Sequence, residues 1–397
     1  MIYINKPCAR SDDPRILHTS LSGGARQTAR LPKPHMLKHA PIRILGTIAL
    51  LAGVIAVPLY ASDKPKHPQA PSASVPYSQT TVTFANPGGP DHLAGTLTVP
   101  PGTGPFPAIV IVPGSGQVNR DGELFGHQFY RVLADDLTRR GFAVLRSDKR
   151  GVGASNGSFD TATTADFASD IEAGVAFLRS RKDINPQRIG LVGHSEGGII
   201  APMVAGKDPR IVFVVMMAGN GIRGDQMLLD RTRKRRMAGK SATETERELA
   251  LQKAVFAAVT ADATPAERES RARQLYLDAR KNYGRAWSPD ELAPLLSPWM
   301  RSFLASDPVP VLQRLRCAIL ALVGEKDQVV MADENIPALT RALAGNPNAS
   351  VKRLAGLNHF FQSAGSGALS EVAGIEETIA PSALELIGSW ASLHSQP

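Results

Sequence analysis

The chain has 397 residues, 43% of them hydrophobic and 20% charged, with 35 glycines, 30 prolines and two cysteines. This is a globular composition, too apolar for a disordered chain and without the period of a fibrous one. Of the net charge of +9, residues 1–61 carry +6 and leave the body at +3, so no broad phosphate-binding face is available and nucleic acid is disfavoured as a partner. Cys8 and Cys317 alone exclude a disulfide scaffold.

Residues 44–61 run without a charge, behind Lys38, His39 and Arg43, and close on the small residue Ala61. A positive flank, an apolar stretch and a small terminal residue predict a secretory signal peptide, so residues 1–61 read as a leader. The rival is a retained N-terminal membrane anchor, since this length could barely span a bilayer, but Pro58 and Ala61 favour cleavage. A start at Met36 would give a signal peptide of ordinary proportions. The expectation is a periplasmic or secreted protein with no stable membrane insertion after cleavage. Residues 62–76, rich in Pro and Ser, read as a linker.

From Tyr77 the pattern becomes regular. Residues 78–84 and 92–99 alternate apolar and polar around Asn86-Pro-Gly-Gly-Pro90, which predicts an antiparallel hairpin. Short continuous apolar runs follow at 108–112, 142–145, 189–192, 211–217 and 318–323, as in strands buried on both faces of a parallel sheet. Between them, Phe129, Leu133 and Leu137, and then Phe167, Ile171, Val175 and Leu178, fall on single helical faces. The alternation predicts an α/β core over 77–220 and 307–395, with a mostly parallel central sheet flanked by helices. Residues 221–306 have helical spacing and no strand, and read as a helical cap over the sheet's end. Within it, Arg231-Thr-Arg-Lys-Arg-Arg236 reads as a solvated helix face, because Glu244, Glu246 and Glu248 follow soon after.

The pattern G-x-S-x-G occurs twice, around Ser155 and around Ser195. A serine nucleophile needs a tight turn between strand and helix, so that its hydroxyl projects above the sheet. Ser195 has that context, with the apolar run Ile189–Val192 before it and a helical pattern from Gly198 after it. Ser155 follows the glycine-rich Arg150-Gly-Val-Gly and reads as a turn serine. A serine hydroxyl also needs a base, and the base an orienting carboxylate, which follow such a nucleophile in the order acid, then histidine. Only His359 and His394 lie beyond Ser195, and His394 is in the tail, so His359 is the candidate base. Asp327 is the preferred acid, in the loop after the run 318–323, with Glu325 and Asp333 as alternatives. The oxyanion donors are expected to be the backbone amide of Glu196 and one from Ser115, Gly116 or Gln117 after the first parallel strand.

At PGSGQVNRDG (113–122), SDKRGVGAS (147–155), GHSEGGIIAP (193–202), PWMRSFLASDP (298–308), LALVGEKDQV (320–329) and LNHFFQ (357–362), the chain resembles the α/β-hydrolase superfamily. Within it, the resemblance is to secreted bacterial esterases and serine-aminopeptidase-like hydrolases. It implies the α/β-hydrolase fold with a helical cap, Ser195 as nucleophile, Asp327 as acid and His359 as base, and Arg150 and Arg301 near the site. The expected activity is hydrolysis of a small-molecule carboxylic ester through an acyl-enzyme, without metal or organic cofactor. The alternatives are an aminopeptidase-like amide hydrolase on the same triad and a non-catalytic binding module. Oligomeric state is not legible.

Overall fold

A computed structural model of the chain describes residues 67–237, 241–283 and 292–396. The leader with its predicted signal segment lies outside these residues. Among the described residues, no helix is long and apolar enough to cross a membrane.

The chain enters the fold through the expected hairpin. Strand β1 (Ser78–Phe84) pairs antiparallel with β2 (Leu93–Val99), from Ser78 opposite Val99 to Phe84 opposite Leu93. Then β3 (Phe106–Val112), α1 (Phe129–Arg139), β4 (Ala143–Ser147), α2 (Thr164–Arg179), β5 (Ile184–His194), α3 (Gly197–Lys207) and β6 (Ile211–Met217) alternate. A helical stretch follows, with α4 (Gly224–Met237), α5 (Ala242–Thr260), α6 (Pro265–Tyr283) and α7 (Pro298–Ala305). The core resumes with β7 (Ala318–Gly324), α8 (Ala332–Leu343), β8 (Ala349–Leu354) and α9 (Pro381–His394).

The eight strands form one sheet in the order β1-β2-β4-β3-β5-β6-β7-β8. Only β1–β2 and β2–β4 pair antiparallel; every other neighbour is parallel. The central strands are buried along most of their length, Ile109 to Val112 on β3 and all of β7 among them, because helices cover both faces of a parallel sheet. Helix α1 packs beside α9, and α2 beside α3. Helix α3 is apolar on nearly every side, as its buried Ile199, Ile200, Ala201 and Val204 require. Thr163 and Asp166 close a capping box that starts α2, and Ser241 and Glu244 do the same for α5.

The stretch read as a linker is described from residue 67, and there it is held on the core. The His67 ring lies 4.1 Å from that of His127, and Gln69 Nε2 donates to the Ile379 carbonyl at 2.6 Å. The Gln69 side-chain oxygen in turn accepts the N–H groups of Thr378 and Ile379.

Candidate active site

Strand β5 ends at His194 and α3 begins at Gly197, so Ser195 and Glu196 make the whole turn. Such a turn forces Ser195 into left-handed backbone, with φ of 57°. Its N–H is anchored on the Met217 carbonyl at 2.8 Å. The turn is tight enough to demand glycine on either side. A Cβ on Gly193 would stand 2.0 Å from the Gly197 carbonyl oxygen, and one on Gly197 would stand 2.0 Å from that of Val112.

The other two residues arrive from loops at the ends of β7 and β8. Asp327 follows β7, and its Oδ1 accepts the N–H groups of Val329 and Val330 at 2.7 and 2.8 Å. Its Oδ2 lies 2.8 Å from His359 Nδ1, and His359 Nε2 lies 3.1 Å from Ser195 Oγ. A carboxylate only accepts, so Nδ1 carries the proton and Nε2 is left to receive that of the serine. The His359 loop is shaped by Asn358, whose Oδ1 accepts the N–H groups of Phe360 and Gln362 and whose Nδ2 donates to the Gln362 side chain. Among the described residues, non-glycine left-handed backbone occurs at Phe125, Ser195, Ala218 and Phe361; Phe125 and Ser195 line the cavity at this site, and Phe361 is two residues from His359.

The remaining candidates lie elsewhere. Glu325 accepts the Gly356 N–H, and Asp333 pairs with Arg353 on the surface. His394, expected in a loose tail, is the last residue of α9, with its ring stacked on Trp390. Ser155 is a buried turn residue: its hydroxyl donates to the Asp148 carbonyl and accepts the Ala94 N–H, both at 2.9 Å. Arg150 is turned into a buried pair with Asp170, at 2.7 Å, and Arg301 is exposed.

The loop after β3 is pinned at Gly114. Its N–H donates to the buried Tyr130 hydroxyl at 2.8 Å, and its carbonyl accepts from Lys149 Nζ at 3.1 Å. With the Gly114 amide engaged, Ser115, Gly116 and Gln117 remain as the loop's contribution beside Ser195, and all three line the same cavity. Under the turn, Lys149 Nζ lies 3.2 Å from Glu196 Oε2. Burial pulls the Lys149 ammonium below its usual range, against the opposing pull of Glu196. Burial likewise lowers His194 to about 3, helped by its neighbour His359, so that imidazole is neutral.

Ser195 and His359 open into a cavity of about 540 Å³ walled by apolar side chains, among them Leu124, Phe125, Phe159, Trp299, Met300 and Phe360. Arg231 also lines it, whereas Arg233 of the same run is exposed and paired with Asp230. Sequence reasoning missed Tyr130, Lys149 and Trp299 here; Lys149 and Trp299 lie inside quoted motifs, but nothing in the letters marks their partners. Among the described residues, no three His, Cys, Asp or Glu side chains are grouped to hold a metal ion.

Residues 109–371 match the model of the alpha/beta hydrolase family. The chain belongs to that family. Among alpha/beta hydrolases and their relatives, it is 25% identical to Esterase EstD of Thermotoga maritima over 270 residues, 68% of this chain and 58% of that protein. The match therefore spans less than two-thirds of that relative's length. Thiohydrolase apmlB of Arthrinium phaeospermum is 34% identical over 110 residues, 28% of this chain and 34% of its own. Among solved structures, an esterase of Pyrococcus furiosus superposes with a TM-score of 0.52 at 15% identity, over 84% of this chain and 98% of that one, a likeness of fold.

Proposed function

We propose that the protein is a serine hydrolase that cleaves small carboxylic esters. The observation that carries this reading is the unbroken line from Asp327 through His359 to the Ser195 hydroxyl at the floor of an apolar cavity. Ser195 Oγ attacks the acyl carbon while His359 Nε2 takes its proton, and Asp327 holds the imidazole in the required tautomer. The negative charge on the former carbonyl oxygen is met by the amide of Glu196 and one from Ser115, Gly116 or Gln117. The tetrahedral species collapses to an ester on Ser195, and His359 returns the proton to the departing alkoxide. Water, deprotonated by His359, then releases the acid and restores the serine.

The cavity's apolar wall supports an uncharged acyl or alcohol group over a free amino acid. An aminopeptidase would need a carboxylate to hold the substrate's amine; of the two that line the cavity, Glu123 is engaged by Asn119 and Gln128, which leaves Asp160 as the group an aminoacyl substrate would have to use. By its leader, this hydrolase is proposed to act outside the cytoplasm. The test is steady-state hydrolysis of p-nitrophenyl esters against aminoacyl-anilides, with Ser195→Ala as control. Ester turnover that vanishes in S195A is the expected result; equal turnover in the two proteins would refute the assignment.

A further inference from the structure

Glu196 contributes more than its backbone. Its side chain is wholly buried and that of Lys149 nearly so, 0% and 2% exposed. The Glu196 Oε1 accepts the Trp299 indole N–H at 2.6 Å and the Thr164 hydroxyl at 2.9 Å, while Oε2 faces Lys149. Lys149 uses its remaining capacity on the Gly114 carbonyl and on the Phe167 ring, 3.7 Å from its Nζ. Both charges are therefore fully partnered.

A buried ion pair is a weak stabiliser, because desolvation offsets most of the attraction; what it confers is position. Here it ties together the two stretches of backbone that would meet the oxyanion, Gly114 to Gln117 on one side and Glu196 on the other. Lys149 also cancels a carboxylate charge that would otherwise oppose negative charge gathering nearby. The third partner, Trp299, comes from α7 in the helical insertion; its ring lines the cavity and stacks on Phe303. One side chain thus faces the space a substrate would fill and also holds the residue after the nucleophile.

We propose that Lys149, Glu196 and Trp299 are positioning residues that set the spacing of the oxyanion amides and make the seating of α7 a condition for it. This rests on the ester-hydrolase reading. It implies that loss of a contact in the set lowers kcat more than it raises KM, since the amides act on the transition state.

The experiment compares the full-chain wild type, Ser195→Ala, Trp299→Phe and the double variant Lys149→Met with Glu196→Gln, on p-nitrophenyl butyrate. Rates are expressed per folded molecule, with folding read by circular dichroism and thermal melting. Trp299→Phe keeps an aromatic ring, though a smaller one, and removes the N–H; the double variant removes both charges together, leaving none buried alone. The expected result is a fall in kcat of about 10-fold for Trp299→Phe and about 100-fold for the double variant, with KM changed less than about threefold. If S195A is inactive while both test variants keep the wild-type kcat per folded molecule, this inference fails alone, whatever happens to Tm. If S195A is as active as wild type, the hydrolase reading fails and takes this one with it.

Discussion

His194 Nε2 donates to the backbone carbonyl of His359 at 3.0 Å, so the residue before the proposed nucleophile holds the proposed base. A carbonyl can only accept, which fixes the proton of His194 on Nε2. The two rings lie 5.0 Å apart between centroids, and a second positive charge there would be unfavourable.

This arrangement predicts acid lability. His194 titrates near 3 in the folded protein and near 6.5 when unfolded, so below about 6.5 the unfolded chain binds the extra proton. Its contribution to stability is whole above pH 6.5 and is lost as pH falls toward 3, by up to about 1.4 kcal/mol per pH unit. His127, also lowered by burial, acts in the same direction. Scanning calorimetry between pH 7 and 4.5 should show a shallower decline of Tm for His194→Gln than for wild type; parallel declines would contradict the assignment.

Asp327→Asn should leave the fold intact, because the Asn side-chain oxygen can still accept from Val329 and Val330. It cannot hold His359 in the Nδ1–H tautomer, and kcat on an activated ester should fall by about 10⁴. A loss of less than tenfold, with His359→Ala inactive, would mean another group orients the imidazole.

Tyr130→Phe removes the acceptor for the Gly114 N–H and leaves that amide buried without a partner. The expected loss is about 1–3 kcal/mol of stability by chemical denaturation. A fall in kcat of about tenfold should accompany it as the loop after β3 loosens. Unchanged kcat would show that Lys149 alone holds the loop.

Arg150→Met should destabilise without touching the chemistry. Asp170 would keep only Asn86 as a side-chain partner and remain a buried charge, at a cost of about 3–5 kcal/mol. A Tm lowered on the order of 10 °C, with kcat near that of wild type at 20 °C, is the expected pattern. A lowered kcat would instead put Arg150 in contact with the reaction.

Much of this was readable because the proposed nucleophile and acid stand just after apolar runs. Ser195 and Asp327 follow β5 and β7, whose continuous hydrophobicity comes from burial on both faces. The edge strand β8 was invisible for the opposite reason: with Lys352 and Arg353 exposed, it has no apolar run. Helix α3 was legible from its glycines and small apolar residues, whereas α8 and α9 were not picked out. The partnership of Lys149 with Glu196 spans 47 positions and exists only once β4 and β5 lie in one sheet. A lysine and a glutamate in a sequence read as surface residues, and only the packing of Phe167 and Trp299 around them shows otherwise.

The left-handed backbone of Ser195 has a consequence for durability. An L-residue there gives up about 1–2 kcal/mol that glycine would not. Ser195→Gly should therefore yield a protein that no longer turns over yet melts no lower than its parent, even once the added freedom of its unfolded chain is counted. The residue proposed to react thus sits on backbone that the fold holds at a cost to its own robustness.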